Sequence, residues 1–319
     1  MNTSPLPPAY GGPGWQARVT TSRDELGSIW ASCGLDSEWL PLKSVLLHRP
    51  GRELEAIPGD PTDSLMLDQI DPTAIPIQHD ALAQVYRSHG VEVSYVQPPT
   101  IPPPNQLFVA DLFVMTPEGA ILGRPASAVR AGEERWVAGA LSELGIPILR
   151  SVRGEGTFEG ADLMWIAPDM ALLAEGLRTN AEGAGQVKST LEEMGVSVAA
   201  THLPPGTMHL MGQLRIVDRD LAIGWRGHLP EDAVRALELA GFPVVFLPDE
   251  LEARRGFALN FVVLGPREIL MPGGNPKTQT FYEELGISCR TVDVGEIGKA
   301  AGSIGCLTGV LERERSQGA

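Results

Sequence analysis

One phrase recurs five times along this 319-residue chain: a stretch with helical periodicity ends in glycine, and a short β-rich run follows. Glycine after a helix is the expected C-cap, because it adopts the left-handed conformation without a Cβ penalty. The glycines are Gly90, Gly145, Gly195, Gly241 and Gly286. The repeat indicates an α/β chain in which a strand follows each helix.

Two apolar runs separated by turn residues precede the helix in each of the last four units. Such a pattern predicts a β-hairpin. The paired runs are Leu112–Met115 with Ala120–Leu122, Leu163–Ile166 with Ala171–Leu173, Leu214–Val217 with Leu221–Ile223, and Phe261–Leu264 with Ile269–Met271. Each unit therefore has the order ββαβ, and its period of about 45 to 55 residues is typical of repeat and propeller architectures.

The first unit shows one hairpin strand, Ser44–His48, before a helix near Ile77–His89. The apolar run Leu307–Leu311 is a candidate partner that would close a ring and remove exposed sheet edges. We therefore predict a five-bladed α/β-propeller of ββαβ modules with pseudo-fivefold symmetry. It forms a single domain over residues 41–319, behind a partly flexible N-terminal arm over residues 1–40. The alternative is a two-domain α/β chain in which similar phrases recur by chance.

Charge and composition exclude several classes of function. The formal charge of -15 argues against nucleic acid and anionic membrane as partners, because phosphate binding needs clustered Lys and Arg. It suits a small cationic ligand. The chain shows no secretory signal or bilayer-spanning run, and its three cysteines lack paired spacing. We expect a cytoplasmic protein, and a homo-oligomer is compatible with the sequence.

Polar residues occupy the same place in successive units, just before the first hairpin strand. They are Asp111, Glu159 with Asp162, His209, Asn260 and Cys306. If the units are related by rotation, these side chains point to a common centre. Taken singly, the cysteine is interpreted as a small buried residue and each acid as a solvated loop residue. The histidine alone is equally compatible with an interior hydrogen-bonded side chain and with a base.

Together these residues have a chemical meaning. A thiolate attacks an electrophilic carbon, a histidine protonates the leaving group and then activates water, and carboxylates hold a cation against the sulfur. Three acids around one thiol disfavour the thiolate, so the pattern suits a substrate with a planar positive charge. Guanidinium is the biological group that matches carboxylates in bidentate geometry.

The chain resembles the pentein, or guanidino-group-modifying, superfamily over nearly its whole length after the N-terminal arm. This superfamily has a five-bladed α/β-propeller fold and includes arginine deiminases, dimethylarginine dimethylaminohydrolases and amidinotransferases. The segments that carry the resemblance are Leu42–Leu54, Phe108–Asp111, Phe158–Asp162, Gly176–Gly183, His209–Leu210 and Cys306–Thr308.

The resemblance implies a role for most of the candidate residues. Cys306 is the implied nucleophile, and His209 and Glu159 complete the catalytic set. The substrate-binding candidates are Asp111 and Asp162 for the cation, Arg178 and Arg130 for an α-carboxylate, and Asn260 by its place in the repeat. A solvated charge at a helix start is the alternative for both arginines. No metal or organic cofactor is expected, because the thiol supplies the covalent chemistry.

Two positions depart from the family's pattern. Met211 stands where arginine deiminases have an aspartate that contacts the guanidinium. Ala110 stands where deiminases usually have Arg and dimethylarginine hydrolases have Glu. The site therefore holds fewer charges on one side of the guanidinium, which admits an N-substituted group or selects a different substrate.

We predict a cysteine hydrolase that converts arginine or an N-substituted arginine to citrulline through an S-alkylthiouronium, with release of ammonia or an amine. One alternative is an amidinotransferase, in which an amine replaces water as the acceptor. Another is a catalytically silent guanidine-binding protein, favoured if Met211 and Ala110 reflect a lost activity.

Overall fold

The computed structural model describes residues 6–55, 57 and 59–316. Its strands form five three-stranded sheets, and in each sheet the central strand pairs antiparallel with one neighbour and parallel with the other. Sheet by sheet, the strands are β1 (Leu42–Leu47), β2 (Glu92–Tyr95) and β15 (Gly309–Arg313); β3 (Phe113–Thr116), β4 (Gly119–Leu122) and β5 (Ile148–Ser151); β6 (Leu163–Ala167), β7 (Met170–Glu175) and β8 (Ser197–His202); β9 (Leu214–Asp218), β10 (Leu221–Gly224) and β11 (Val244–Phe246); β12 (Val262–Gly265), β13 (Glu268–Pro272) and β14 (Ser288–Val292).

The helices lie mostly between the second and third strands of a unit, as the sequence predicts. They are α1 (Arg52–Glu55), α2 (Ala74–Ser88), α3 (Glu133–Glu143), α4 (Ala181–Glu193), α5 (Glu231–Leu239), α6 (Glu250–Arg255), α7 (Pro276–Glu284), α8 (Gly295–Gly298) and α9 (Ile304–Leu307). The five glycines predicted as C-caps all have positive φ, between 74° and 89°. That conformation ends each helix and turns the chain into the next strand.

The predicted hairpins are confirmed with shifts of one or two residues at their ends. The C-terminal partner of the first unit is also confirmed, because β15 pairs antiparallel with β1 and places Val310 opposite Val45. Its predicted start at Leu307 is wrong, since that residue ends helix α9. The short helix turns the chain just before the strand begins.

Hydrogen bonds and buried side chains join neighbouring sheets. The indole of Trp165 donates to the Met115 carbonyl, 3.2 Å away, and links the third sheet to the second. The Arg267 amide donates to the carbonyl of Val217 in the fourth sheet at 3.0 Å. The buried Arg313 side chain of β15 donates to the carbonyl of Val263 in the fifth sheet at 2.8 Å. The second and third, the fourth and fifth, and the fifth and first sheets are therefore in contact.

The segment just before the predicted boundary at residue 40 packs onto the first sheet. Gly34 donates to the Leu311 carbonyl at 2.8 Å and accepts from the Arg313 amide at 3.1 Å, and the flanking residues Cys33 and Leu35 are buried. Residues 1–5 of the predicted arm lie outside the described residues, and the division into arm and domain stays a prediction. No helix in the described part of the chain is long and apolar enough to cross a bilayer.

Short turns at the start of the first hairpin strands carry the predicted site residues. The turns are Val109–Asp111 before β3, Gly160–Asp162 before β6 and Leu210–Gly212 before β9. Adjacent turns contact each other, and helix α9 contacts the first of them. Close packing needs glycine here: a Cβ on Gly160 would lie 2.2 Å from the Phe113 carbonyl oxygen. The predicted site residues are thereby brought to one place.

Candidate active site

Cys306 lies in helix α9 and exposes 9% of its surface. Its Sγ accepts a hydrogen bond from Asn260 Nδ2 at 3.0 Å, and its amide donates to Asn260 Oδ1 at 3.2 Å. Asn260, predicted from its place in the repeat, therefore holds the thiol from two directions. Residue 305 must be small, because a Cβ on Gly305 would lie 2.1 Å from the Arg215 guanidinium.

The surroundings of Cys306 disfavour ionisation of its thiol. Burial and the nearby Asp111 carboxylate raise its pKa above the usual value, against smaller opposing contributions from a Ser303 backbone hydrogen bond, Asn260 and Arg215. Cys306 is therefore protonated near neutral pH. This agrees with the sequence-based expectation that acids around the site oppose ionisation of the free enzyme.

His209 is bound to a buried carboxylate. Its Nε2 lies 2.7 Å from Glu159 Oε2, and its Nδ1 lies 3.8 Å from Asp111 Oδ1. Burial alone lowers the pKa of the imidazole, but Asp111, Glu159 and Asp162 outweigh this and raise its pKa to about 9. The ring is therefore a cation at neutral pH and holds a proton that it can donate.

Glu159 stays ionised although it is fully buried. Burial raises its pKa, but hydrogen bonding and charge from His209, together with Arg130 and Arg178, more than offset burial and lower the pKa of Glu159. Arg178 Nη1 lies 3.3 Å from Glu159 Oε1, and Arg130 Nη1 lies 3.2 Å from Oε2. This carboxylate is therefore the centre of a buried charge network that orients the imidazole.

Asp162 contacts the backbone that carries His209. One of its oxygens accepts from the Leu210 amide at 3.0 Å and the other from Thr179 Oγ1 at 2.7 Å. Burial raises its pKa to about 6 despite the opposing charge of His209. These contacts make Asp162 a positioning residue for the histidine turn, and its contact with substrate stays a prediction.

Arg130 is enclosed by three carboxylates. It donates to Asp111 Oδ2 at 2.6 Å, to Glu159 Oε2 at 3.2 Å and, through Nε, to Glu133 Oε2 at 2.9 Å. Although burial opposes the charge, these acids raise the pKa of the guanidinium further above its usual value. In this arrangement Arg130 holds the acids in place, and its binding of a substrate carboxylate stays a prediction.

Sequence reasoning missed Glu133, which is buried and has a pKa raised to about 7 by burial, against the charge of Arg130. It lies three residues after Arg130, and that spacing at the start of helix α3 was the available signal.

One carboxylate oxygen near Cys306 accepts no hydrogen bond from the described residues. Asp111 Oδ1 is buried and has no hydrogen-bond partner within residues 6–55, 57 and 59–316. A buried carboxylate oxygen without a donor is costly. Since Asp111 and Cys306 line the same cavity, a cationic N–H donor placed there would satisfy it beside the sulfur.

A metal does not fit this cluster well. Ligand atoms of Asp111, Glu159 and His209 lie within 4.8 Å of one another, but the guanidinium of Arg130 already donates to both acids. The raised pKa of His209 also favours the imidazolium, whereas a metal requires the neutral ring. The cluster is thus suited to hydrogen-bonded cations, and the sequence-based expectation of no cofactor stays a prediction.

Two cavities meet at Cys306. The small one, of about 20 Å³, is lined by Asp111, Arg130 and Arg178. The large one, of about 230 Å³, is lined by His209 together with side chains of the fourth and fifth units. Ala301 and Met208 line both cavities with the cysteine. Cys306 therefore lies between a charged compartment and a mainly apolar one that also contains His209 and Arg254.

Arg215 is a second residue that sequence reasoning missed. It lies on β9, is buried, and donates through Nε to the Leu259 carbonyl at 3.1 Å. Its Nη2 has no hydrogen-bond partner in the described part of the chain and faces Gly305, the residue before Cys306. The signal in the sequence was an arginine inside the apolar run Leu214–Val217.

No protein-family model matches the chain. Curated relatives do match it over most of its length. The N(G),N(G)-dimethylarginine dimethylaminohydrolase of Streptomyces coelicolor is 29% identical over 270 residues, which cover 84% of this chain and 97% of that protein. The enzyme of the same name from Pseudomonas aeruginosa is 27% identical over 268 residues, covering 83% of this chain and 98% of that protein.

Solved structures show the same fold. A mutant dimethylarginine dimethylaminohydrolase from Pseudomonas aeruginosa, complexed with citrulline, matches with a TM-score of 0.71 and 24% identity, over 84% of this chain and 99% of that one. An amidinotransferase of saxitoxin biosynthesis from Microseira wollei matches with a TM-score of 0.72 and 15% identity, over 91% and 99% of the two chains. The five sheets therefore correspond to the modules of this structural group.

Proposed function

We propose that this chain is a member of the pentein superfamily and hydrolyses a C–N bond of a guanidino compound. It is 29% identical to one dimethylarginine dimethylaminohydrolase over 84% of its length. Arginine and N-substituted arginines are the proposed substrates, and citrulline is the proposed product. The five sheets are proposed to surround a common axis as the blades of a closed propeller, with the site residues at its centre.

The observation that carries the proposal is the unused Asp111 oxygen next to the buried thiol. A guanidinium placed there donates N–H groups to the carboxylate and presents its central carbon to Cys306. Its charge also offsets the field that holds the pKa of the thiol high. Binding of the substrate then also favours the thiolate form of Cys306, which is the nucleophile.

His209 and Glu159 supply the proton transfers. The imidazolium, held by the Glu159 carboxylate at 2.7 Å, gives its proton to the nitrogen that leaves as the carbon–sulfur bond forms. The neutral ring then takes a proton from water, which attacks the S-alkylthiouronium and releases the ureido product and the cysteine. Thus one histidine serves first as acid and then as base.

The direct test is incubation of the protein with arginine, methylated arginines and a panel of acceptor amines, followed by mass analysis of the products. Citrulline with ammonia or an amine supports hydrolysis. Ornithine with an amidinated acceptor supports transfer, the reaction named for the neighbour from Microseira wollei. Binding of arginine without any product, unchanged in Cys306→Ala, would establish a silent guanidine-binding protein instead.

A further inference from the structure

A third cavity, of about 710 Å³, carries basic residues in its wall. Arg254, Arg255 and Lys299 line it, and Asp68 is the one acid among the described residues that do so. On a chain with a formal charge of -15, this grouping reverses the sign of the charge locally. A concave wall with an excess of positive charge attracts small anions. We call this space the basic cavity.

Ser303 places a hydrogen-bonding group in the same wall. The residue is 1% exposed, and its Oγ has no hydrogen-bond partner in the described part of the chain. A buried hydroxyl without a partner costs free energy. An anion in the basic cavity would accept a hydrogen bond from this hydroxyl and remove the cost.

The basic side chains are available to a ligand. Arg255 is exposed and forms no ion pair with the described residues, whereas Arg254 lies 3.2 Å from Glu250 and Lys299 lies 3.0 Å from Glu296. Both side chains of the Arg254 pair are exposed, and pairs of that kind contribute little to stability. An anion can therefore contact these cations without breaking a fully buried ion pair.

Backbone hydrogen bonds hold the wall in place. The amides of Leu67 and Asp68 both donate to the Lys299 carbonyl, at 2.8 and 3.2 Å. The Gly273 amide donates to the Val292 carbonyl at 2.9 Å. These contacts fasten a loop of the first unit and the end of β13 to the segments that follow β13 in the chain. The basic cavity is thus preformed, which lowers the entropic cost of binding.

The rest of the wall suits an organic group. Leu67, Phe257, Pro272 and Val294 contribute apolar surface, and small-molecule sites typically enclose about 300 to 1,000 Å³. Phe257 has φ of 52°, in the left-handed region that residues with a side chain seldom adopt. Such strain persists where the surrounding structure imposes it, and it concentrates at binding sites. A ligand with both an anionic and an apolar part therefore matches this wall.

We propose that the basic cavity binds a phosphate monoester with an apolar organic group. The phosphate contacts the three basic side chains, because guanidinium groups match phosphate oxygens in bidentate geometry, and it accepts a hydrogen bond from Ser303. The organic group packs against Phe257 and the neighbouring apolar side chains. Since neither Arg255 nor Ser303 lines the two cavities at Cys306, this site is separate from the one proposed for guanidines.

Calorimetry with phenyl phosphate, and with inorganic phosphate for comparison, tests the site. We expect one molecule of phenyl phosphate to bind at least about tenfold more tightly than inorganic phosphate, because burial of an aromatic ring contributes that factor or more. Arg255→Gln and Ser303→Ala should each weaken binding of phenyl phosphate by about tenfold, since each removes a hydrogen bond to a charged group.

Arg219→Gln is the matched control. Arg219 is also an exposed arginine, but it does not line the basic cavity. The substitution removes the same charge as Arg255→Gln, and it should leave the affinity for phenyl phosphate unchanged.

Several results would overturn the site. They are the absence of phenyl phosphate binding, an affinity equal to that of inorganic phosphate, an unchanged affinity in Arg255→Gln or in folded Ser303→Ala protein, and an equal loss in Arg219→Gln. The last would show that only the overall charge matters. Because Arg255 is exposed, its comparison with Arg219 remains decisive if Ser303→Ala does not fold. No turnover is measured, so the outcome is independent of guanidine hydrolysis.

Discussion

The two cavities beside Cys306 are lined by different kinds of side chain. Towards the second and third sheets, the Asp111, Arg130 and Glu159 side chains form a buried ion-pair network around a cavity of about 20 Å³. Towards the fourth and fifth sheets, mainly apolar side chains, together with His209 and Arg254, surround about 230 Å³ of space. In the proposed function, the charged side fixes one orientation of a planar cation through directed hydrogen bonds. In the same proposal, the apolar side selects a part of the substrate by its shape and buried area. This selection is less specific than directed hydrogen bonding.

Under the proposed function, this difference means that different side chains contact the reacting group and the rest of the substrate. Buried ion pairs are costly to assemble and strongly destabilising when one partner is removed. Changes on the charged side should therefore affect chemistry and stability together, whereas changes on the apolar side should affect substrate choice.

The largest effect is expected at the thiol itself. Cys306→Ser should abolish turnover and leave the fold intact, because a serine hydroxyl stays protonated where a thiol ionises. Cys33→Ser and Cys289→Ser are the controls, since burial raises the pKa of each of those thiols to about 11 and neither lines the two cavities. Product formation by mass spectrometry is the measurement. Full activity in Cys306→Ser protein would rule out covalent catalysis.

On the charged side, Glu159→Gln should lower kcat by about 10² to 10⁴-fold, the contribution typical of acid–base catalysis. The neutral amide lacks the charge that stabilises the imidazolium, and Arg130 and Arg178 lose their shared carboxylate. Glu133→Gln is the matched control, because Glu133 also binds Arg130, whereas the carboxylate that binds His209 is that of Glu159. This control should retain most of the turnover. Equal losses of kcat in both variants would show that the network acts only through stability.

The raised pKa of His209 also affects stability. A histidine whose folded pKa lies near 9 stabilises the fold fully below its unfolded value of about 6.5, and this contribution is lost as pH rises through 9. The free energy of unfolding should therefore fall by about 3 kcal/mol between pH 6.5 and 10 relative to His209→Gln, from the size of the shift. Denaturant titrations at both pH values measure it. The same pH dependence in both proteins would show that the imidazole is not charged in the fold.

The smallest effect expected is on thiol reactivity. In Cys33→Ser/Cys289→Ser protein, alkylation of Cys306 by iodoacetamide should be slow at pH 7 and accelerate when methylguanidine is added, because the cation offsets the field of Asp111. Arg215→Met should slow alkylation further, by about tenfold for each unit that the thiol pKa rises.

Arg313→Met is the control for loss of a buried arginine, since Arg313 donates to the carbonyls of Leu40 and Val263 rather than facing Gly305. It should leave alkylation unchanged. A fast, pH-independent reaction without any cation would contradict the view that the substrate creates the nucleophile.

Much of the fold could be predicted because its signals are local. Each C-capping glycine ends a helix through its own backbone conformation, and each hairpin is marked by turn residues between two apolar runs. Since these units repeat in one order, residues far apart in sequence could be placed at equivalent positions. Asp111, Glu159, His209, Asn260 and Cys306 were found in this way, without knowledge of any contact.

The sequence by itself therefore determined the units, their order and which polar residues meet, because all three follow from short-range pattern and repetition. Only the tertiary structure decided what each charge does. Arg130 holds three acids, and Arg215 lies behind the thiol, through contacts that join different sheets. The apolar cavity is likewise formed by side chains from separate turns, among them Met211, Trp225 and Phe257. Pairing partners and empty volume depend on distances between segments, and no local pattern in a chain encodes those distances.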